Sequence, residues 1–508
     1  MKDIVVLVPG IMGSELQNKN GENVWSFPFG TLLRESGNIV STVVSRKPLE
    51  HLLLQELILE RDNDPERPIL NDGIEATGLI QDHFKVPGFS QLYHGYSDIR
   101  KKLTSHPFNL KLEKNYFEFP YDWRRDIRSA AYRLKDFINE RLPKDSDTKV
   151  IFIAHSMGGL VARYYLEYLD GANKCKALIT LGTPFHGSPK ILNYLVNGYS
   201  VRDIFGNTVS ALVKGMAHIT RSQSDPSDLT EVLHSFTSTY QLLPKYKSIL
   251  NEQGIGKLRV QDLDPQFGLD INRARAAREF LMSLRSQGEY PTFPGVGIGQ
   301  KTLQSATVVD GQLLMSSEQV PPNEDGECFT ADGDDTVPRF SAVPIELIGK
   351  SQEKYFGQAH GGLQSSEKVW DWLNELINQT IQNPKKAPQD IGGINQGKEP
   401  PTIRLSVQDL YLCTEGEQVR LQAEFVGVES NTLQESENFG GLHAIIKPAR
   451  ESEQQEIQAQ FAPDSHLLTL EPNQLTPGLY QLEVITGDYH PQFTDEAPEP
   501  VKTLFHII

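Results

Sequence analysis

Cysteine is scarce in this chain. Cys175, Cys328 and Cys413 are its three, far apart and odd in number. They offer neither a disulfide framework nor zinc-ligand spacing, which suits a reducing compartment. Long apolar runs are missing as well. No segment approaches the roughly 20 residues of a membrane-spanning helix. The first apolar run, Ile4–Val8, is too short for a signal peptide and stops at Pro9-Gly10. The expectation is a cytoplasmic protein without leader or anchor. Basic charge is in deficit: 49 Lys and Arg stand against 66 Asp and Glu, a net −17. That balance argues against nucleic acid as a partner and against electrostatic capture by anionic membranes. The remaining composition is that of a soluble globular protein. At 508 residues it is too long for one ordinary core, so two domains are expected.

The most informative stretch is KVIFIAHSMGGLVARYYLEYL, residues 149–169. Its first five residues read as a strand buried on both faces. Apolar residues then recur with helical spacing at Leu160, Val161, Tyr164, Tyr165 and Leu169. Between them lies Ala154-His155-Ser156-Met157-Gly158-Gly159. Strand, tight turn with Ser at the apex, then helix is the pattern of a nucleophile elbow, with Ala154 where a Gly is usual. Such a turn aims the Ser156 hydroxyl out of the sheet. It also sets the Met157 N–H at a helix N-terminus, where an oxyanion is stabilised. Asp3–Val8 reads as a further buried parallel strand, followed by the Gly-rich turn Pro9–Ser14. A second oxyanion donor is expected there, the backbone N–H of Ile11.

Other elements follow in order. Residues 18–86 do not alternate cleanly between strand and helix. Trp25 to Phe29 and a helix-like Pro48–Glu60 are apolar enough either to pack on the core or to make transient membrane contact. A helix is expected at Tyr96–Leu103. The strand Tyr116–Phe119 runs into Pro120–Arg124, where Asp122 and Arg124 pair to hold the loop. Tyr121, Trp123 and Phe89 are the candidate lining of an acyl pocket. An amphipathic helix from Ile127 to Leu142 precedes the elbow, and the strand Ala177–Leu181 follows it. This rhythm implies right-handed crossovers and a mostly parallel sheet. It breaks over residues 188–326, read as a helical cap insertion with pieces at Ile191–Val196, Leu229–Leu243 and Ile271–Ser286. A last helix is expected at Glu367–Ile381.

The division that results is a catalytic domain at 1–382, with insertions at about 18–86 and 188–326, and a linker rich in Pro, Gly and charge at 383–401. An accessory domain occupies 402–508. There the period changes to alternation, with seven short strand-like runs that suggest an immunoglobulin-like β-sandwich. From Gly397 onward 18 acidic residues meet 6 basic ones, so this module carries most of the negative charge. A protein partner for it is not specified by the sequence.

A Ser hydroxyl needs a base, and the base an acid to orient it. Of 13 histidines, His155 adjoins the Ser around a sharp turn and is expected to pack, while His186 is out of chain order. His360, on a turn before the last helix, is the choice of base. Its acid lies in Gly333–Pro338, with Asp334 the choice and Asp335 the alternative. Asp332, Asp334 and Asp335 faintly resemble a calcium loop but lack its bidentate Glu. No metal or cofactor is expected.

Val8–Gly13, Val86–Phe89, Pro120–Arg124, His155–Gly158, Gly182–Pro184 with Gly187-Ser188, Gly333–Pro338 and His360 occur in order over about residues 1–375. As a set they resemble the lecithin:cholesterol acyltransferase family. The resemblance implies an α/β-hydrolase fold and a triad of Ser156, Asp334 and His360, with Ile11 and Met157 as oxyanion residues. It also implies an acyl-ester substrate, typically a glycerolipid. The chain departs from secreted relatives in its cysteines and in the insertion near Trp25–Glu60, which puts sterol acceptors and lipoprotein-type partners in question. A hydrolase of lipid esters leads, an O-acyltransferase with the same triad stands second, and a non-catalytic scaffold that retains the fold is the alternative of another class.

Overall fold

The runs of β-branched and aliphatic residues become the strands of one sheet in the computed structural model. It describes residues 3–26, 57–59, 72–81, 83–85, 92–142, 147–198, 227–250, 256–284, 290–318, 331–348, 353–382, 402–406, 419–426, 441–448, 456–462, 467–470, 475, 478–487 and 498–507. The six strands are β1 (Ile4–Val8), β2 (Tyr116–Glu118), β3 (Val150–His155), β4 (Cys175–Leu181), β5 (Thr292–Gly297) and β6 (Lys354–Phe356). They lie in the order β6-β5-β4-β3-β1-β2, every pair parallel. β1 and β3 are buried at every position, which explains why neither alternates polar with apolar residues.

Helices cover the sheet. α1 (Ile127–Arg141) starts at Asp126, whose carboxylate accepts the Arg128 N–H, and buries Ile127, Ala131, Leu134 and Ile138. α2 (Met157–Tyr168) follows Ser156 directly, and α3 (Glu367–Gln382) follows β6. The strand order reverses between β1 and β3, each of which sends its C-terminal loop to the same edge. In open parallel sheets that crevice is where ligands bind.

The cap reading needs two corrections. β5 lies inside the stretch 188–326, so that insertion is interrupted by a strand of the central sheet. Its sequence, TFPGVG, has one Pro and two Gly in six residues, which a pattern reading takes for a turn. The glycines are there for space: a Cβ at Gly295 would meet Leu181 and Trp372 at 3.0 Å, and one at Gly297 would meet the Asp334 Cβ at 2.6 Å. Nor is the insertion only helical. Besides helices Pro189–Val196, Ser227–Ser235 and Ile271–Ser283, it holds a four-stranded sheet of Gly256–Leu258, Ile249–Leu250, Ser305–Val309 and Gln312–Ser316. Its last two strands are a hairpin turned at Asp310-Gly311, both with positive φ. An Asp-Gly pair between apolar runs is a strong hairpin signal, so this one was readable in advance.

Residues 18–86 contribute the strands Asn23–Trp25 and Ile74–Leu79, which pair antiparallel with the preceding strand Ser14–Asn18. Most of the expected membrane-contacting stretch lies outside the described residues. Where it is described it packs inward: Trp25, Leu57 and Leu59 are buried in the main core. Among the described residues no helix is long and apolar enough to cross a membrane. The proposed linker, Phe89, Cys328 and Cys413 lie outside the described residues, and Cys175 is a buried free thiol.

Among the described residues beyond 400 there are seven antiparallel strands: β7 (Thr402–Ser406), β8 (Val419–Val426), β9 (Leu442–Pro448), β10 (Ile457–Gln460), β11 (Leu467–Leu470), β12 (Gly478–Thr486) and β13 (Val501–Ile507). They form two sheets, β7-β8-β11 and β10-β9-β12-β13. Ile403 and Leu421 from one and Ala444, Ile446, Leu482 and Val501 from the other share a separate apolar core.

Candidate active site

Ser156 stands between β3 and α2 with φ 52° and ψ −128°, a conformation that a non-glycine residue rarely adopts. Holding it costs about 1–3 kcal/mol, which the surrounding contacts must offset. The Ser156 N–H donates to the Leu181 carbonyl at 2.8 Å. The small neighbours are required by backbone packing. A Cβ at Gly158 would stand 2.4 Å from the Pro9 carbonyl oxygen, and one at Gly159 would stand 2.0 Å from Thr183 Oγ1. At Gly10, a Cβ would come within 2.8 Å of the Ser156 Cβ. The loop after β1 thus lies directly on the elbow.

His360 and Asp334 reach this point from the far edge of the sheet. The Ser156 hydroxyl lies 2.9 Å from His360 Nε2, and His360 Nδ1 lies 2.8 Å from Asp334 Oδ2. With a carboxylate at Nδ1, that nitrogen carries the proton and donates it, so Nε2 is the acceptor facing the hydroxyl. The second carboxylate oxygen of Asp334 accepts the N–H groups of Thr336 at 3.0 Å and Val337 at 2.6 Å. All three residues are buried: Ser156 is 6% exposed, His360 4% and Asp334 1%. The loop bearing His360 crosses over the ends of β5 and β4 to get there, a distance of roughly 14 Å at the usual strand spacing. Gly182, with φ 60°, lies beneath the crossing. A Cβ there would meet Asp334 Oδ2 at 2.9 Å and His360 Nδ1 at 3.0 Å.

The two candidate acids have different partners. Asp335 turns away with φ 77° and accepts Lys190 Nζ at 2.7 Å, whereas Asp334 faces the imidazole. Asp332 accepts the Gly299 N–H at 2.7 Å and the Gly333 N–H at 2.8 Å. Among the described residues no group of acidic, Cys or His side chains is arranged to hold a metal ion.

The expected oxyanion residues flank Ser156. Met157 is the first residue of α2, and Ile11 follows Gly10 in the loop that touches the serine. Tyr121 and Trp123, expected as acyl-pocket lining, are fully buried and support that loop instead. The Tyr121 hydroxyl donates to the Pro9 carbonyl at 2.8 Å, and the Trp123 indole donates to the Ser14 carbonyl at 3.0 Å. Trp123 also packs edge-on against Trp25 and Phe236. Asp122 and Arg124 pair as expected, at 2.7 and 2.9 Å, and Asp72 joins them at 2.8 Å. Burial alone would raise the Asp122 carboxyl, but Arg124 and Arg125 outweigh it and hold it below its usual range.

A relay not anticipated from sequence ties the two sides of the site together. The Gly10 N–H donates to the Tyr96 hydroxyl oxygen at 2.8 Å, and that hydroxyl lies 3.1 Å from His155 Nδ1. On its other side His155 Nε2 lies 3.1 Å from the His360 carbonyl oxygen, so it is Nε2 that carries a proton and donates. Nδ1 then accepts from Tyr96. Burial, with the neighbouring His360 adding to it, lowers the His155 pKa to about 3, so the ring stays neutral. His186, the other histidine set aside, is buried and its Nε2 bonds the Val343 carbonyl at 3.1 Å. A histidine beside Ser156 was visible in the sequence, but its partner Tyr96 carried no pattern of its own.

Residues 43–255 match the family described as lecithin:cholesterol acyltransferase. The stretch includes Ser156 and stops short of Asp334 and His360. Curated relatives include the lysosomal phospholipase A and acyltransferase of Bos taurus and that of Homo sapiens. Each is 26% identical over 219 residues, 38% of this chain and 50% of the relative. The chain spans about half the length of these curated relatives. Among solved structures, the Tle4–Tli4 complex covers 75% of this chain and 98% of its own at 17% identity, with a TM-score of 0.44. The motifs of the elbow and of the Pro120–Arg124 loop fall within the matched residues, and over 43–255 this chain is a match to the lecithin:cholesterol acyltransferase family.

Proposed function

We propose that this chain is a serine enzyme acting on acyl esters of lipids, with Ser156 as nucleophile, His360 as base and Asp334 as the acid that orients it. The observation that carries the reading is the unbroken run from Ser156 Oγ through both nitrogens of His360 to Asp334, at 2.9 and 2.8 Å. Ser156 gives its proton to His360 Nε2 as its oxygen attacks the ester carbonyl carbon. The oxyanion that develops is received by the Ile11 and Met157 N–H groups, where losing one such donor typically costs about a hundred- to a thousandfold in rate. His360 returns the proton to the departing alcohol oxygen, leaving an acyl-serine. Water or a second alcohol, deprotonated by His360, then releases the acyl group. The same site therefore serves hydrolysis and acyl transfer, and the curated relatives' name couples both activities.

Supporting the lipid substrate is the family match. The chain divides, in this reading, into a catalytic domain at 1–382 and an immunoglobulin-like accessory domain at 402–508. A fluorophosphonate probe tests the nucleophile. It should label the wild type and leave Ser156→Ala unlabelled. Equal labelling of the two would mean that another residue reacts. Supplying a labelled acyl phospholipid with and without a long-chain alcohol then divides the two activities by product: free acid in both mixtures for a hydrolase, acyl ester only with alcohol for a transferase.

A further inference from the structure

The C-terminal β-module touches the catalytic half at the loops that follow β5 and β6, the two strands whose downstream segments bear Asp334 and His360. Thr402, at the start of β7, is buried between Gly299 and Gly357. A Cβ at Gly299 would stand 2.2 Å from Thr402 Cγ2, and one at Gly357 would stand 2.8 Å from Thr402 Oγ1, so both positions are kept bare where this side chain enters. Arg404 Nε donates to the Gly299 carbonyl at 2.9 Å, and Gln300 Nε2 donates to the Ile403 carbonyl at 3.0 Å.

From there the contacts run inward. The Gln300 N–H donates to the Gly333 carbonyl at 3.0 Å, and Gln300 bridges Asp334 in parallel register. The Asp335 N–H donates to Thr302 Oγ1 at 2.8 Å. On the other side, Gln358 precedes His360 by two residues and donates its side-chain amide to Glu499 Oε2 and to the Pro500 carbonyl, both at 2.9 Å. Ser366, at the far end of the His360 turn, donates to both oxygens of the same carboxylate, at 3.1 and 3.2 Å. Glu499 is a buried acid placed just before β13, and it spans the two ends of the segment that carries His360.

We infer that the C-terminal β-module is a positioning element for the acid and base loops, with Glu499 holding the His360 turn at both ends and Thr402 seating the loops after β5 and β6. The inference rests on the reading of Ser156, Asp334 and His360 as a triad. Among the described residues of the module none is hydrogen-bonded to the serine, so Glu499 acts through the segment it braces. A catalytic imidazole that shifts by about an ångström loses on the order of a hundredfold in rate. The loop bearing His360 arrives from the sheet edge, and bracing at its two ends supplies what the sheet itself does not.

The test uses the full chain with Glu499→Ala, Glu499→Gln and, as a control, Ile446→Val, which thins the core of the same module away from the contact. Turnover of a p-nitrophenyl fatty-acid ester, labelling rate with a fluorophosphonate and deuterium uptake by residues 357–366 are read on each. Glu499→Ala should lower kcat and the labelling rate about ten- to a hundredfold with KM within twofold, and should speed uptake in 357–366. Glu499→Gln, which keeps one acceptor oxygen, should recover part of both, and Ile446→Val should stay at wild type. Wild-type kcat, labelling and uptake in Glu499→Ala would overturn the inference, as would an equal loss in Ile446→Val. Deuterium uptake is read without turnover. Faster uptake in Glu499→Ala therefore supports the brace even if Ser156 takes no label, a result that would overturn the reading of the triad instead.

Discussion

Asp334 and Asp335 are adjacent and chemically identical, yet a 77° φ at the second sends their carboxylates to different partners. One meets His360 and the other Lys190. Asp334→Asn should therefore lower kcat by about 10⁴-fold, because an amide there favours the wrong imidazole tautomer. Asp335→Asn should leave kcat within a few-fold, and steady-state kinetics on the pair checks this. Tyr96→Phe removes the hydroxyl between the Gly10 N–H and His155, leaving a buried donor without its acceptor. A stability loss of about 1–3 kcal/mol by urea unfolding is expected. The choice among 13 histidines was open to sequence reasoning through chain order, and His360 does face Ser156. Tyr96 was not open to it, since a hydrogen bond between residues 59 positions apart leaves no local trace.

The elements that position the site are those whose pattern was strongest. β1, β3, α1 and α2 lie within a residue or two of where apolar runs and helical spacing put them. In β5 the pattern is broken by Pro294, Gly295 and Gly297: Leu181 and Trp372 crowd Gly295, and Asp334 and the Gln358 carbonyl crowd Gly297. Close packing at these two glycines leaves no room for the side chains that mark a strand. Gly158→Ala tests how tightly the elbow is packed. Its Cβ has no free space beside the Val8 and Pro9 carbonyls, so β1 and α2 must separate. The expected result is a loss of about 1–3 kcal/mol in stability together with a fall in the fluorophosphonate labelling rate.

At the scale of the whole molecule, two buried neutral histidines contribute to the response to acid. Burial lowers the pKa of His155 and of His186 to about 3, below their ordinary 6.5. Above pH 6.5 neither takes up a proton in either state, and their contribution is fully present. As pH falls toward about 3 the unfolded chain binds protons that the folded one refuses, so stability drops, by up to about 2.7 kcal/mol per pH unit for two groups. Between pH 7.5 and 5 this fall runs against Glu167, whose carboxyl burial raises to about 7 and which takes up its proton first in the folded state. The check is therefore the difference between variants: His186→Gln should change the pH slope of the urea midpoint by about one proton relative to wild type. The account as a whole stands on an acyl group passing through one hydroxyl. The direct measurement is the mass of tryptic peptides from protein quenched during its first turnover of an activated fatty-acid ester. The acyl mass should appear on the peptide bearing Ser156 and vanish in His360→Ala. An acyl group on any other residue, or full turnover by Ser156→Ala, would contradict it.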